Sequence, residues 1–104
     1  MKNTVLIADD DSDLVNLLDT MLSKEGFKIL TANDGEAALR QVKDNKPDLV
    51  VLDVGMPGKN GLDVCKTLRL EERTRDIPII MLTARSDEID RVLGLELGRR
   101  RLYD

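Results

Sequence analysis

Three aspartates stand at the downstream ends of two apolar runs. Asp9 and Asp10 follow Val5-Leu6-Ile7-Ala8, and Asp53 follows Leu49-Val50-Val51-Leu52. A third run, Ile77 to Leu82, ends at Thr83. Carboxylates gathered in one small space repel one another, and a divalent cation relieves the repulsion by taking their oxygens as ligands. Such a site suits phosphoryl transfer. The Asp53 carboxylate can accept a phosphoryl group as an acyl phosphate. An anion must then approach an anion, and magnesium removes that difficulty by bridging carboxylate and phosphoryl oxygens. Asp10 and Asp53 are expected to bind the metal directly, and Asp9 directly or through water. The backbone carbonyl of Gly55, two residues past Asp53, is a further candidate oxygen. Thr83 is a candidate hydroxyl donor to a phosphoryl oxygen, with small Ala84 beside it leaving room. No lysine follows Lys66, so no cationic partner for the phosphoryl group is expected.

For these groups to meet, the chain must bring the ends of separate segments to one edge. The pattern does this if apolar runs alternate with helix-period segments. Thr4–Ala8 reads as a fully buried strand. Ser12 or Asp11 caps a helix to about Lys24, with Leu14, Val15, Leu18, Met21 and Leu22 on its inward face and Gly26 as its stop. Lys28 to Ala32 reads as a second strand. Asn33 or Asp34 opens a helix bearing Ala37, Ala38, Leu39 and Val42, which ends before Pro47. Asp48 to Leu52 is the third strand. A loop with Gly55, Pro57 and Gly58 leads to a helix over about Leu62 to Glu72, with Val64, Cys65 and Leu68 facing in. Ile77 to Leu82 is the fourth strand, and Ser86 or Asp87 caps a last helix bearing Ile89, Val92, Leu93 and Leu97. Continuous apolar strands between helices imply a parallel sheet covered on both faces. Right-handed crossovers put the loops after the strands on one edge, where ligands bind in open sheets.

Each residue also has a plainer explanation. A single aspartate after a strand is usually a turn or cap residue, and Asp11 is expected to be one. Gly58 and Gly61 alone mean a turn, and Thr83-Ala84 alone carries no information. The combination of the acidic pair, Asp53 and Thr83, each ending a run, is what points to a site.

Composition removes other classes. The 104 residues suffice for one domain, and an apolar fraction of 41% supports a core. A net charge of −4 argues against a nucleic-acid or anionic-membrane surface. With no histidine and one cysteine, Cys65, neither a disulfide nor a zinc site is expected. Cys65 falls in an apolar stripe and reads as a small core residue. Without a signal-peptide pattern or a membrane-spanning stretch, a cytoplasmic location is expected.

Three stretches together resemble the receiver domain of bacterial two-component response regulators. They are Val5-Leu6-Ile7-Ala8-Asp9-Asp10-Asp11, then Asp53-Val54-Gly55-Met56-Pro57-Gly58-Lys59-Asn60-Gly61, then Ile79-Ile80-Met81-Leu82-Thr83-Ala84. The resemblance covers about residues 3 to 98, and Asp90 to Gly98 looks most like regulators carrying a DNA-binding output domain. It implies a flavodoxin-like doubly wound α/β fold and a phosphoryl group taken from the phosphohistidine of a sensor histidine kinase. By position it makes Asp53 the phosphoacceptor, Asp9 and Asp10 the metal-binding pair, Thr83 the switch hydroxyl, and Gly55 the carbonyl that binds magnesium. No enzyme activity in the conventional sense is expected, beyond self-phosphorylation by positioning. An aspartate-nucleophile phosphatase is disfavoured, because such enzymes usually place a second aspartate where this chain has Gly55.

The match departs from the family after Gly98. The family usually continues Ala-Asp-Asp-Tyr and then a Lys-Pro-Phe segment, whereas this chain reads Arg99-Arg100-Arg101-Leu102-Tyr103-Asp104. One base inserted in the codon of Gly98 would convert the usual continuation into these six residues and a stop. Sequencing the gene tests that origin. The expected architecture is therefore a receiver over residues 1–98, truncated to about four strands and four helices, with a tail at 99–104 extending the last helix. An uncovered sheet face and edge would favour a homo-oligomer, through the sheet or an exchanged last helix. The alternative function is then a self-associating fragment that never signals. A missing lysine removes one charge-assisted hydrogen bond to the phosphoryl group, worth roughly 1.5–3 kcal/mol, so phosphotransfer is expected to suffer more than metal binding.

Overall fold

Val5, Leu6, Ile7 and Ala8 run without a polar residue between them, and the reason is their position. They form β1 (Thr4–Ala8), an interior strand with both faces covered. The computed structural model describes residues 3–56 and 58–82. Over these, the order is β1, α1 (Ser12–Lys24), β2 (Lys28–Ala32), α2 (Gly35–Asn45), β3 (Leu49–Asp53), α3 (Gly61–Leu70) and β4 (Ile79–Leu82). The sheet is parallel throughout, in the order β2-β1-β3-β4. Leu6 lies beside Leu30 on one flank and Val50 on the other, and Val51 lies beside Ile80. The expected last helix and tail, on which self-association depends, fall within residues 83–104, outside the described residues.

Alternate residues of each strand feed two cores. Leu6, Ala8, Val50, Leu52, Ile79 and Met81 pack against α2 and α3 through Ala38, Leu39, Val42, Val64, Cys65 and Leu68. Val5, Ile7 and Val51 pack under α1 through Val15, Leu18 and Leu22. Cys65 is fully buried, as a small core residue. Helices on both faces, with strand order reversing between β1 and β3, make a doubly wound sheet.

Helix ends follow local chemistry. The Asp11 carboxylate accepts from the N–H groups of Asp13 and Leu14 at 3.1 and 3.2 Å, so Asp11 caps α1. Gly26, at φ +96°, closes the same helix: its N–H donates to the Ser23 carbonyl while that of Phe27 reaches back to Leu22. Asp34 caps α2 and Asn60 caps α3.

Four boundaries and one face differ from the sequence reading, the first being that β3 runs one residue further, to Asp53, which pairs with Leu82. Asp48 stays out of β3 because its N–H donates to the Thr4 carbonyl and its carboxylate accepts from the Thr4 N–H at 2.7 Å. α3 stops at Leu70, short of Glu72, where the chain turns extended at Glu71. The Thr74 hydroxyl then donates to the Leu68 carbonyl at 2.7 Å, and the Arg69 guanidinium donates to the carbonyls of Arg75 and Ile77. Ile77, with its N–H given to Thr74 as well, belongs to that turn, so β4 begins at Ile79. Met21, expected inward, is 54% exposed and shares an outward stripe of α1 with Leu17, 57% exposed. Residues 17 and 21 are one turn apart on the same face, so Met21 follows Leu17 outward. No helix among the described residues is long and apolar enough to cross a membrane.

Candidate metal and phosphoryl site

β1 and β3 are neighbours, and their carboxyl ends reach the same edge of the sheet. This is where the strand order reverses and an open α/β sheet leaves a crevice. Asp9 and Asp10 lie just past β1, and Asp53 is the last residue of β3. One carboxylate oxygen from each of the three lies within 4.8 Å of the others. Thr83 lies outside the described residues.

Each carboxylate is held differently. Asp9 is 5% exposed, its N–H donates to the Ala32 carbonyl at 3.0 Å, and its Oδ1 accepts from the Asp11 N–H at 2.9 Å. Asp10 is exposed and Asp53 half-buried. Asp53 Oδ1 accepts from the Gly55 N–H at 3.2 Å. Gly55 is itself exposed beside that carboxylate. Asp11 takes no part in the cluster with its side chain, which is committed to the α1 cap, but its backbone steadies Asp9.

Burial pushes the Asp9 carboxyl above its ordinary value of 3.8; the charges of Asp53, Asp10 and Asp11 push the same way, while the Asp11 N–H pulls down. The folded protein therefore holds the Asp9 proton more tightly than the unfolded chain does. Without metal, ionised Asp9 opposes folding at neutral pH, and its penalty fades as pH falls through the raised value toward 3.8. Asp9→Asn should raise the Tm of the metal-free protein at pH 7, by about 4–8 °C for each kcal/mol relieved. The gain should shrink toward pH 4, and thermal scans at both pH values check it; a lower Tm at pH 7 would contradict burial and repulsion as the cause.

Gly61, which the sequence marks as a turn residue only, has a second role. It begins α3 against the backbone of Asp53. A Cβ at Gly61 would overlap the Asp53 carbonyl oxygen and sit 2.9 Å from the carbonyl carbon. Its φ is not in the left-handed region, so close approach explains the glycine. The signal in the sequence is a glycine at a helix start, where propensity does not favour it.

Three carboxylates gathered at the switch point of a doubly wound sheet define a flavodoxin-like domain with an acidic site. Residues 5–102 match the family model of the response regulator receiver domain, and the chain belongs to that family. It is 54% identical over 96 residues to the transcriptional regulatory protein CpxR of Klebsiella pneumoniae, covering 92% of this chain and 40% of that protein. It is 47% identical over 98 residues to the alkaline phosphatase synthesis transcriptional regulatory protein PhoP of Bacillus subtilis, covering 94% and 40%. The chain thus spans about two fifths of the length of these relatives. Among solved structures, the non-phosphorylated HemR receiver domain of Leptospira biflexa superposes with TM-score 0.83 at 32% identity, over 94% of this chain and 77% of that one. The chemotaxis response regulator CheY4 of Vibrio cholerae gives 0.86 at 27%, over 95% and 82%.

Family membership corrects one expectation, that the chain is not an enzyme. Receiver domains catalyse their own phosphorylation, so the family does not fit a purely passive acceptor. Receiver domains bind magnesium through acidic residues, and the donor set here fits that ion: hard carboxylate oxygens close enough to share one cation, with Asp9 buried beside the charges of its neighbours.

Proposed function

We propose that this chain is the magnesium-dependent phosphoryl acceptor of a two-component pair, with Asp53 as the acceptor and a sensor histidine kinase as the donor. The convergence of Asp9, Asp10 and Asp53 within 4.8 Å carries the reading. An Asp53 carboxylate oxygen attacks the phosphorus of the kinase phosphohistidine. The phosphorus–nitrogen bond breaks, the histidine ring leaves as neutral imidazole with a proton taken up from solvent, and an acyl phosphate remains on Asp53. Asp9, Asp10, Asp53 and the Gly55 carbonyl would hold magnesium, which when bound neutralises the charge of the carboxylates and of the incoming phosphoryl group. Thr83 would offer its hydroxyl to a phosphoryl oxygen. The Gly55 N–H orients the Asp53 carboxylate, and the Gly61 contact restrains its backbone.

Intact-mass spectrometry after incubation with acetyl phosphate and magnesium tests the function. One phosphoryl group should be gained, and none when the metal is chelated; equal labelling without metal would refute the proposal.

The kinase needs a docking surface beside the acceptor. α1 follows its cap Asp11, whose N–H donates to Asp9, and exposes Leu17 and Met21 one turn apart. Replacing both apolar residues with glutamate should slow transfer from a phosphorylated kinase about tenfold, the scale of one interface hot spot. Labelling by acetyl phosphate should persist. Equal losses with both donors would place the effect in the fold instead.

A further inference from the structure

Gly35 opens α2, distant in sequence from both acidic segments. It is buried, its φ is not in the left-handed region, and Asp34 already caps the helix. Conformational freedom therefore does not explain a glycine there. Space does. A Cβ at Gly35 would overlap the Lys59 carbonyl oxygen and lie 2.8 Å from both the Lys59 carbonyl carbon and its Cβ. Lys59 belongs to the connection between Asp53 and α3, which carries Gly55.

Two described points of that connection are tightly seated. At its base, Gly61 lies against the Asp53 backbone and donates its N–H to the Val54 carbonyl at 3.3 Å. At its far side, it rests on the start of α2. The helix itself is fixed by Ala38, Leu39 and Val42, all buried in the core shared with α3. A side chain at position 35 must displace something, and the looped connection is more easily moved than a packed helix.

We propose that Gly35 is a positioning residue for the acidic site: its missing side chain lets the Asp53–Gly61 connection seat against α2 and so sets where Asp53 and Gly55 stand. The proposal rests on reading Asp9, Asp10, Asp53 and Gly55 as a metal site. Metal sites tolerate displacements of only about 0.5 Å, and the overlap at Lys59 is larger than that.

Gly35→Ala should weaken magnesium binding by roughly 10- to 100-fold, the usual effect of losing an outer support of a metal site. Gly26→Ala is the comparison. Its φ of +96° makes alanine strained, but nothing lies within 4 Å of the added Cβ, and it sits at the far end of α1. It should lower Tm and leave magnesium affinity unchanged. Affinity is read from amide shifts in a magnesium titration, below the Tm of each variant. Equal affinity for wild type and folded Gly35→Ala overturns the positioning role alone. If wild type shows no Asp53-dependent binding, the metal-site reading falls and the positioning role with it. Should Gly35→Ala fail to fold, the wild-type titration decides: the Gly35 amide should move along the same binding curve as Asp53, and a silent Gly35 overturns the proposal.

Discussion

Asp53→Asn should abolish phosphoryl uptake from acetyl phosphate, reducing it at least about a hundredfold. An amide is a poor nucleophile at oxygen and cannot leave behind a stable acyl phosphate. The substitution is otherwise mild. Asparagine has the shape of aspartate, its oxygen can still accept from the Gly55 N–H, and the position is only half-buried. Loss of labelling with an unchanged fold would therefore report chemistry. The same change removes one of three mutually repelling charges. Magnesium affinity should fall by at least about 10- to 100-fold, since a charged direct ligand is lost and even an outer partner costs that much. Intact-mass spectrometry and a magnesium titration read the two effects. Retained labelling would move the acceptor elsewhere, and untouched magnesium affinity would show that the carboxylates do not share an ion.

Leu52→Ala should cost about 2.7–5 kcal/mol of stability. Leu52 is fully buried, and it belongs to the core that α2 and α3 build against the sheet. β3 is paired on both sides, so the surrounding backbone has little freedom to collapse into the space left behind. A domain of ordinary stability holds about 5–15 kcal/mol in total, so the variant would approach unfolding. Urea denaturation should show a lower midpoint with the same slope. A loss under about 1 kcal/mol would mean that the site relaxes, contrary to the packing described. Leu52 also precedes Asp53, so a loosened β3 should weaken magnesium binding in the surviving folded fraction.

The two expectations draw on different kinds of information. Asp53 stands out through its place after an apolar run and through the family motif. The same run marks Leu52 as strand core, but the size of its effect comes from its complete burial. Asp11 reads as a cap and is one, since capping is a bond between residues two and three apart. The sequence puts Met21 on the wrong side of α1, because a helix with Leu14, Val15, Leu17, Leu18, Met21 and Leu22 offers two overlapping apolar stripes. Only the sheet selects one of them.

What the amino-acid order alone determined was local: which runs are strands buried on both faces, roughly where helices start, and which acidic residues lie at strand ends. These depend on period, branching and side-chain bonds within one turn. Only the tertiary structure decided that Asp9, Asp10 and Asp53 close to 4.8 Å while Asp11 turns away, and that Gly35 and Gly61 are absent side chains at close backbone contacts. Those facts depend on the pairing of β1 with β3 and on the seating of two helices across the sheet. Gly35 and Lys59, or Asp9 and Asp53, lie too far apart for any short window of sequence to relate them, and even the nearer pair Gly61 and Asp53 meets only because the helix packs back on the strand end.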